Sequence, residues 1–65
     1  MNWDQIEGNW IQLIGSARAK WGELTDDELA QMKGHRDELI GKLQERYGVG
    51  KEEAERQVDD WQAKL

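Results

Sequence analysis

The sequence predicts an all-α protein of four short helices, arranged as two roughly orthogonal helical hairpins with an approximate internal duplication. Three observations carry this. Apolar residues recur at helical spacing along most of the chain, as at Trp10, Leu13, Ile14, Ala17 and Trp21. No proline interrupts any such stretch, and no run of β-branched residues marks a strand. A shift of 26 residues brings Gly8, Leu13, Ile14, Gly15 and Gly22 onto Gly34, Leu39, Ile40, Gly41 and Gly48.

Helix one opens at Asn2, with Gln5 three positions on as the partner of a capping box. Trp3 and Ile6 extend the stripe of Trp10, Leu13, Ile14, Ala17 and Trp21 backwards, although Gly8 lies in its path. Gly22 is placed to end the helix in a left-handed conformation. Helix two begins at Thr25, where Asp26, Asp27 and Glu28 oppose the positive end of the dipole and Glu28 reaches back to the cap. Leu29 and Met32 give it an apolar face, and Gly34 ends it.

Helix three carries Leu39, Ile40, Leu43 and Tyr47 and closes at Gly48. Gly50 is the N-cap of helix four, with Glu52 and Glu53 in its first turn. Ala54, Val58, Trp61 and Leu65 form its stripe. The pairs Glu38/Lys42 and Glu52/Arg56 are spaced i,i+4 in the favourable orientation and are expected on solvated faces.

A chain of 65 residues is one small domain, here residues 1–65 with repeat halves of about 8–33 and 34–61. It has little hydrophobic core to draw on. Cysteine is absent and His35 is the only histidine, which removes disulfides, thiolate metal sites and multi-histidine cages. Nine basic against fourteen acidic residues leave a net charge of −5, against a dedicated polyanion binder. The mean hydropathy of −1.00 is that of a strongly hydrophilic chain. No apolar run exceeds two residues and no basic segment precedes an apolar one at the start, so a cytoplasmic protein without membrane association is expected. A monomer is expected as well.

The order of Gly8-Asn9-Trp10, Trp21-Gly22-Glu23-Leu24-Thr25-Asp26-Asp27, Gln44-Glu45-Arg46-Tyr47-Gly48, Lys51, Ala54-Glu55 and Asp60-Trp61 resembles the CsbD-like family of small bacterial stress-response proteins. The resemblance covers essentially the whole chain. It implies a cytoplasmic protein accumulated under general, osmotic or envelope stress, and a sterile-alpha-motif-like four-helix fold. It brings no catalytic residue with it, because the family has no established molecular activity.

Few residues suggest chemistry. Gly48, Val49, Gly50 and Lys51 resemble the turn of a helix-hairpin-helix motif, in which glycines and helix-terminal amides approach a nucleic-acid phosphate. Glu52, Glu53 and Glu55 set an unfavourable field beside it, so a plain tight turn is the preferred reading. Gly15 and Gly41 each cost about 1 kcal/mol inside a helix. They are expected at a close helix crossing, and are otherwise candidates, with Trp3, for contact with a protein partner. Trp10, Trp21 and Trp61 lie on apolar stripes and are expected in the core, whereas Trp3 either packs on Trp61 or stays partly exposed. His35 is expected at the surface in an N-terminal turn with Arg36 and Asp37.

Ser16 and Thr25 have no histidine nearby in sequence, and the carboxylates lack EF-hand spacing. No enzyme activity, metal or cofactor is expected. The sequence favours a stress-response protein acting through interaction or protection, with sequence-independent nucleic-acid binding at the hairpin turn as the alternative.

Overall fold

The computed structural model describes all residues from Met1 to Leu65. It contains five helices and no strand: α1 (Trp3–Gly8), α2 (Trp10–Lys20), α3 (Asp26–Met32), α4 (Arg36–Tyr47) and α5 (Lys51–Ala63). The expected count of four is corrected at Asn9, where helix one divides. Asn9 has φ −117° and ψ 19°, and its side-chain amide donates to the Gln5 carbonyl at 2.9 Å. It shares that carbonyl with the Asn9 backbone N–H at 3.0 Å, immediately after a glycine, the weakest position in the segment. The break is a kink rather than a loop, since the Asn9 carbonyl already accepts from Gln12 and Leu13 of α2.

Two capping boxes form as the sequence predicts. Asn2 accepts from the Gln5 amide at 2.8 Å while the Gln5 side chain accepts from the Asn2 amide at 3.0 Å. Thr25 and Glu28 do the same at the start of α3, each bond at 3.1 Å. Gly48 ends α4 at φ 66° and Gly50 is the extended N-cap of α5.

Gly22 behaves differently from expectation. It does not adopt the left-handed conformation; α2 ends at Trp21 with φ −121° and ψ 76°. Trp21 and Leu24 are both buried, so their side chains draw the segment inward before a left-handed cap can form. The left-handed end belongs to α3 instead, where Lys33 (φ 56°) and Gly34 (φ 82°) turn the chain.

The core consists of thirteen buried side chains, all apolar. It draws on every helix: Ile6, Trp10, Ala17, Trp21, Leu24, Leu29, Met32, Leu39, Ile40, Leu43, Ala54, Val58 and Trp61. Trp61 is its hub. The ring centroids of Trp3, Trp10 and Trp21 stand 6.2, 6.2 and 5.5 Å from it, in tilted or edge-on arrangements that suit aromatic quadrupoles. Every indole N–H has an acceptor: Gln62 for Trp3, the Leu29 carbonyl for Trp10, Gln57 for Trp21 and Ser16 for Trp61. A buried indole without one would carry a desolvation cost of about 1–3 kcal/mol.

Among the helix pairs, α4 with α5 and α2 with α3 pack most extensively. Shifted by 26 residues, α2 falls on α4, and the start of α3 falls one residue inside α5. The two halves differ at the ends of those helices, since Trp21 ends α2 where the left-handed Gly48 ends α4.

The close approach expected at Gly15 and Gly41 lies elsewhere. A β-carbon at either position would meet nothing within 4 Å. Gly34 is the crowded glycine, with the Glu7 Cα 2.9 Å from where its β-carbon would stand.

Candidate functional site

The turn between α4 and α5 is short and backbone-driven. Gly48 is left-handed and donates its N–H to the Gln44 carbonyl at 3.0 Å, Val49 packs against the core, and Gly50 offers α5 no side-chain cap. Lys51 is exposed and makes no ion pair. The neighbouring cations are committed to carboxylates: Arg46 to Glu28, and Arg56 to Glu53 and Asp60. The turn therefore has the shape of a hairpin but not the positive field of a phosphate-binding one, and nothing in its geometry supports the nucleic-acid reading.

The last turns of α4, just before that turn, form a polar clamp with the start of α3. Glu28 accepts from the Thr25 amide and hydroxyl through one oxygen, and takes Arg46 and, at 3.6 Å, Lys42 on the other. The Thr25 backbone N–H, followed by its hydroxyl and the two cations, holds the Glu28 carboxyl below its ordinary value of 4.5, against the opposing effect of desolvation. Arg46 also donates to the Glu23 carbonyl at 3.2 Å, and the Tyr47 hydroxyl accepts from the Glu23 amide at 3.0 Å. The end of α4 thus fastens the α2–α3 connection. Tyr47 serves here through its hydroxyl rather than as a fully buried stripe residue; it is 38% exposed.

The expected pairs Glu38/Lys42 and Glu52/Arg56 are replaced. Lys42 turns to Glu28 and Glu45, and Arg56 to Glu53 and Asp60. In both cases a nearer carboxylate wins. Arg36 bridges to Asp59 at 3.0 Å, a contact between α4 and α5 that helical spacing does not predict.

Trp3 satisfies both halves of its expectation: it packs on Trp61, and it remains half-buried rather than enclosed. Its indole donates to Gln62, which in turn donates to the Met1 carbonyl at 2.8 Å, tying the first residues to α5. His35 is the N-cap residue of α4, and Arg36 and Asp37 open the helix as expected. Its Nδ1 lies 2.8 Å from the Glu7 carboxylate, a link to α1 that the sequence does not reveal.

Two open depressions mark the surface. One, of about 470 Å³ between α3 and α4, contains Gly41 together with Glu28, Glu38, Lys42 and Glu45. The other, of about 610 Å³, lies where α1, α2 and α3 meet, around Ile11. Gly15 is one helical turn beyond Ile11, on the exposed side of α2. Trp3, Gly15 and Gly41 therefore do not form one continuous site. No three His, Asp or Glu side chains converge as metal ligands, and no helix is long and apolar enough to cross a membrane.

The arrangement thus offers a Trp-centred core, two capping boxes and a glycine-ended fourth helix. Residues 4–56 match the CsbD-like family. The chain belongs to the CsbD-like family. A UPF0337 protein of Pectobacterium atrosepticum is 53% identical over 62 residues, covering 95% of this chain and 90% of its own length. The UPF0337 protein YjbJ of Escherichia coli strain K12 is 48% identical over 64 residues, covering 98% and 93%. A UPF0337 protein of Pseudomonas aeruginosa is 52% identical over 65 residues and matches end to end. None of these CsbD-like relatives is named for a reaction or a ligand.

Proposed function

We propose that this CsbD-like protein is a general stress-response protein of the bacterial cytoplasm that works without catalysis, through interaction with or protection of other macromolecules. The division of its residues carries the reading. Every buried side chain is apolar, so no titratable or nucleophilic group is set in a water-excluded place where its reactivity would be tuned. The 35% of residues that are charged lie on the outside, a heavily hydrated shell around a small core. We take the segments 8–33 and 34–61 as the two copies of a duplicated unit within this single domain, an interpretation favoured by the similar offsets of the helix starts, 26 residues from α2 to α4 and 25 from α3 to α5.

The test is protection of a desiccation-labile enzyme through cycles of drying and rehydration. Retention of activity above that given by an equal mass of an unrelated acidic protein is expected. Equal retention with both proteins removes protection by hydration from the reading.

A further inference from the structure

The apolar stripes of α3 and α4 are in phase with each other across the turn that separates them. Continued through that turn at about 3.6 residues per helical turn, Leu29, Met32, Leu39, Ile40, Leu43 and Tyr47 fall within an arc of about 100°. Arg36 is the one polar residue in the arc, and Gly34 and Gly41 fall on the opposite side. No proline stands between Asp26 and Tyr47. The sequence from 26 to 47 is thus that of a single amphipathic helix, folded back on itself at Lys33, Gly34 and His35. That turn is weakly made. Lys33 is the one non-glycine residue at positive φ, 56°, which its β-carbon disfavours. His35 caps α4 without a side-chain bond. The clasp on the turn comes from α1, where Glu7 packs over Gly34 and its carboxylate meets His35 at 2.8 Å.

We propose that this turn is a hinge through which two copies of the chain exchange halves: residues 26–47 straighten into one helix, and α4 and α5 of each chain pack on α1, α2 and α3 of the other. The partner surfaces are already on the page, because they are the ones the chain uses on itself. Trp61 meets Trp3, Trp10 and Trp21, the Trp21 indole donates to Gln57, Arg46 meets Glu28, and the Glu23 amide donates to the Tyr47 hydroxyl. Each of these contacts joins α4 or α5 to the segments before the turn, and none involves a turn residue, so each is made equally well between two chains. The exchanged form gives up the contacts of Glu7 with Gly34 and His35. In return Lys33 regains a right-handed conformation and the helix runs on across the turn. Short connections under strain favour such exchange. The balance depends on concentration, since two chains make one dimer: the monomer expected from the sequence holds in dilute solution and the exchanged dimer gains in concentrated solution.

The test unfolds the whole protein in urea, refolds it at about 10 µM and at about 1 mM, and measures its mass by sedimentation. The expected result is 7.6 kDa at the lower concentration and an added component of twice that mass at the higher one. Two variants of the hinge act with opposite signs. Gly34→Ala strengthens dimerisation about tenfold or more, since its β-carbon has no room in the closed turn but suits a continuous helix. Lys33→Gly weakens it by a similar factor, because glycine eases the left-handed turn and disfavours the long helix. Spin labels on Asp27→Cys and Glu45→Cys, both exposed positions, identify the form when doubly labelled chains are diluted into unlabelled ones. Their backbones stand about 27 Å apart in a straight helix, and clearly closer in the closed chain, where the neighbouring Glu28 and Arg46 touch. A wild-type chain that refolds wholly as monomer at about 1 mM overturns the proposal. So does a dimer that keeps the short separation of the monomer, or a Lys33→Gly chain that dimerises as readily as the wild type. A Gly34→Ala chain that stays monomeric, or that circular dichroism shows without helix at the higher concentration, overturns it as well, since the exchanged form has room for the added carbon.

Discussion

Gly34 lies under the backbone of Glu7, so close that a β-carbon at position 34 would stand 2.9 Å from the Glu7 Cα and 3.3 Å from the Trp10 ring. Its φ of 82° adds a second demand for glycine. Gly34→Ala is expected to destabilise the protein by about 2 kcal/mol or more, through strain and the displacement of α1. Urea unfolding followed by helical circular dichroism measures it, and a change below half that value contradicts the close approach.

The helical glycines at 15 and 41 predict the opposite sign. Both sit inside helices with nothing within 4 Å of an added β-carbon. Gly15→Ala and Gly41→Ala are each expected to raise stability by about 0.5–1 kcal/mol, the intrinsic preference of a helix for alanine. Loss of stability in either variant would show that the position packs against something after all.

The Glu28 clamp predicts a pH dependence. The Glu28 and Glu53 carboxyls are both held below their ordinary value of 4.5, Glu28 foremost by the Thr25 amide and Glu53 foremost by the Arg56 side chain. A carboxyl with a lowered folded pKa binds fewer protons in the folded state, so stability rises with pH across that window. Its contribution is complete above the ordinary value and is lost as pH falls through the lowered one. Melting temperatures recorded from neutral to acidic pH should fall most steeply below about pH 4.5. Glu28→Gln should be less stable at neutral pH and show a shallower acid decline; an unchanged acid slope counts against the clamp.

The cap of α3 predicts a local cost. Thr25→Ala removes the side-chain acceptor for the Glu28 amide and is expected to cost about 1 kcal/mol. Hydrogen exchange at the Glu28 amide, faster in the variant while α5 is unaffected, separates fraying of α3 from global destabilisation.

The aromatic hub predicts the largest loss. Trp61→Ala removes the ring on which Trp3, Trp10 and Trp21 converge and is expected to cost about 3–5 kcal/mol. For a domain of this size that approaches its whole stability, so thermal melting should show little or no cooperative transition. Ser16→Ala, which removes only the acceptor of the Trp61 indole, should cost about 1–3 kcal/mol and leave the transition cooperative.

The sequence made legible whatever is written in local spacing. The stripe through Trp10, Ala17 and Trp21, both capping boxes and the left-handed Gly48 follow from residues a few positions apart. What escaped was decided by distant partners. Gly22 and Gly34 both read as helix ends, but burial of Trp21 and Leu24 relieved Gly22 of the left-handed turn, and contact with Glu7 made Gly34 indispensable. Helical spacing pairs Lys42 with Glu38, yet the folded chain brings Glu28 closer. The turn of Gly48, Val49, Gly50 and Lys51 was recognisable as a turn, whereas its lack of positive field depended on Arg46 and Arg56 being taken up by carboxylates. Ile11 had a signal that the stripe obscured: it is the large apolar residue of α2 that does not belong to the core-facing series.

The convergence of three indoles on Trp61 gives the protein a built-in optical gauge. Rings 5.5–6.2 Å apart at fixed tilts couple their electronic transitions, so the near-ultraviolet dichroic band reports mutual orientation rather than the environment of any single ring. Trp3 lies on α1, Trp10 on α2, Trp21 at its end and Trp61 on α5, and displacement of any of these segments alters the same band. Swelling of this small core, before any helix melts, should therefore be visible without an attached dye.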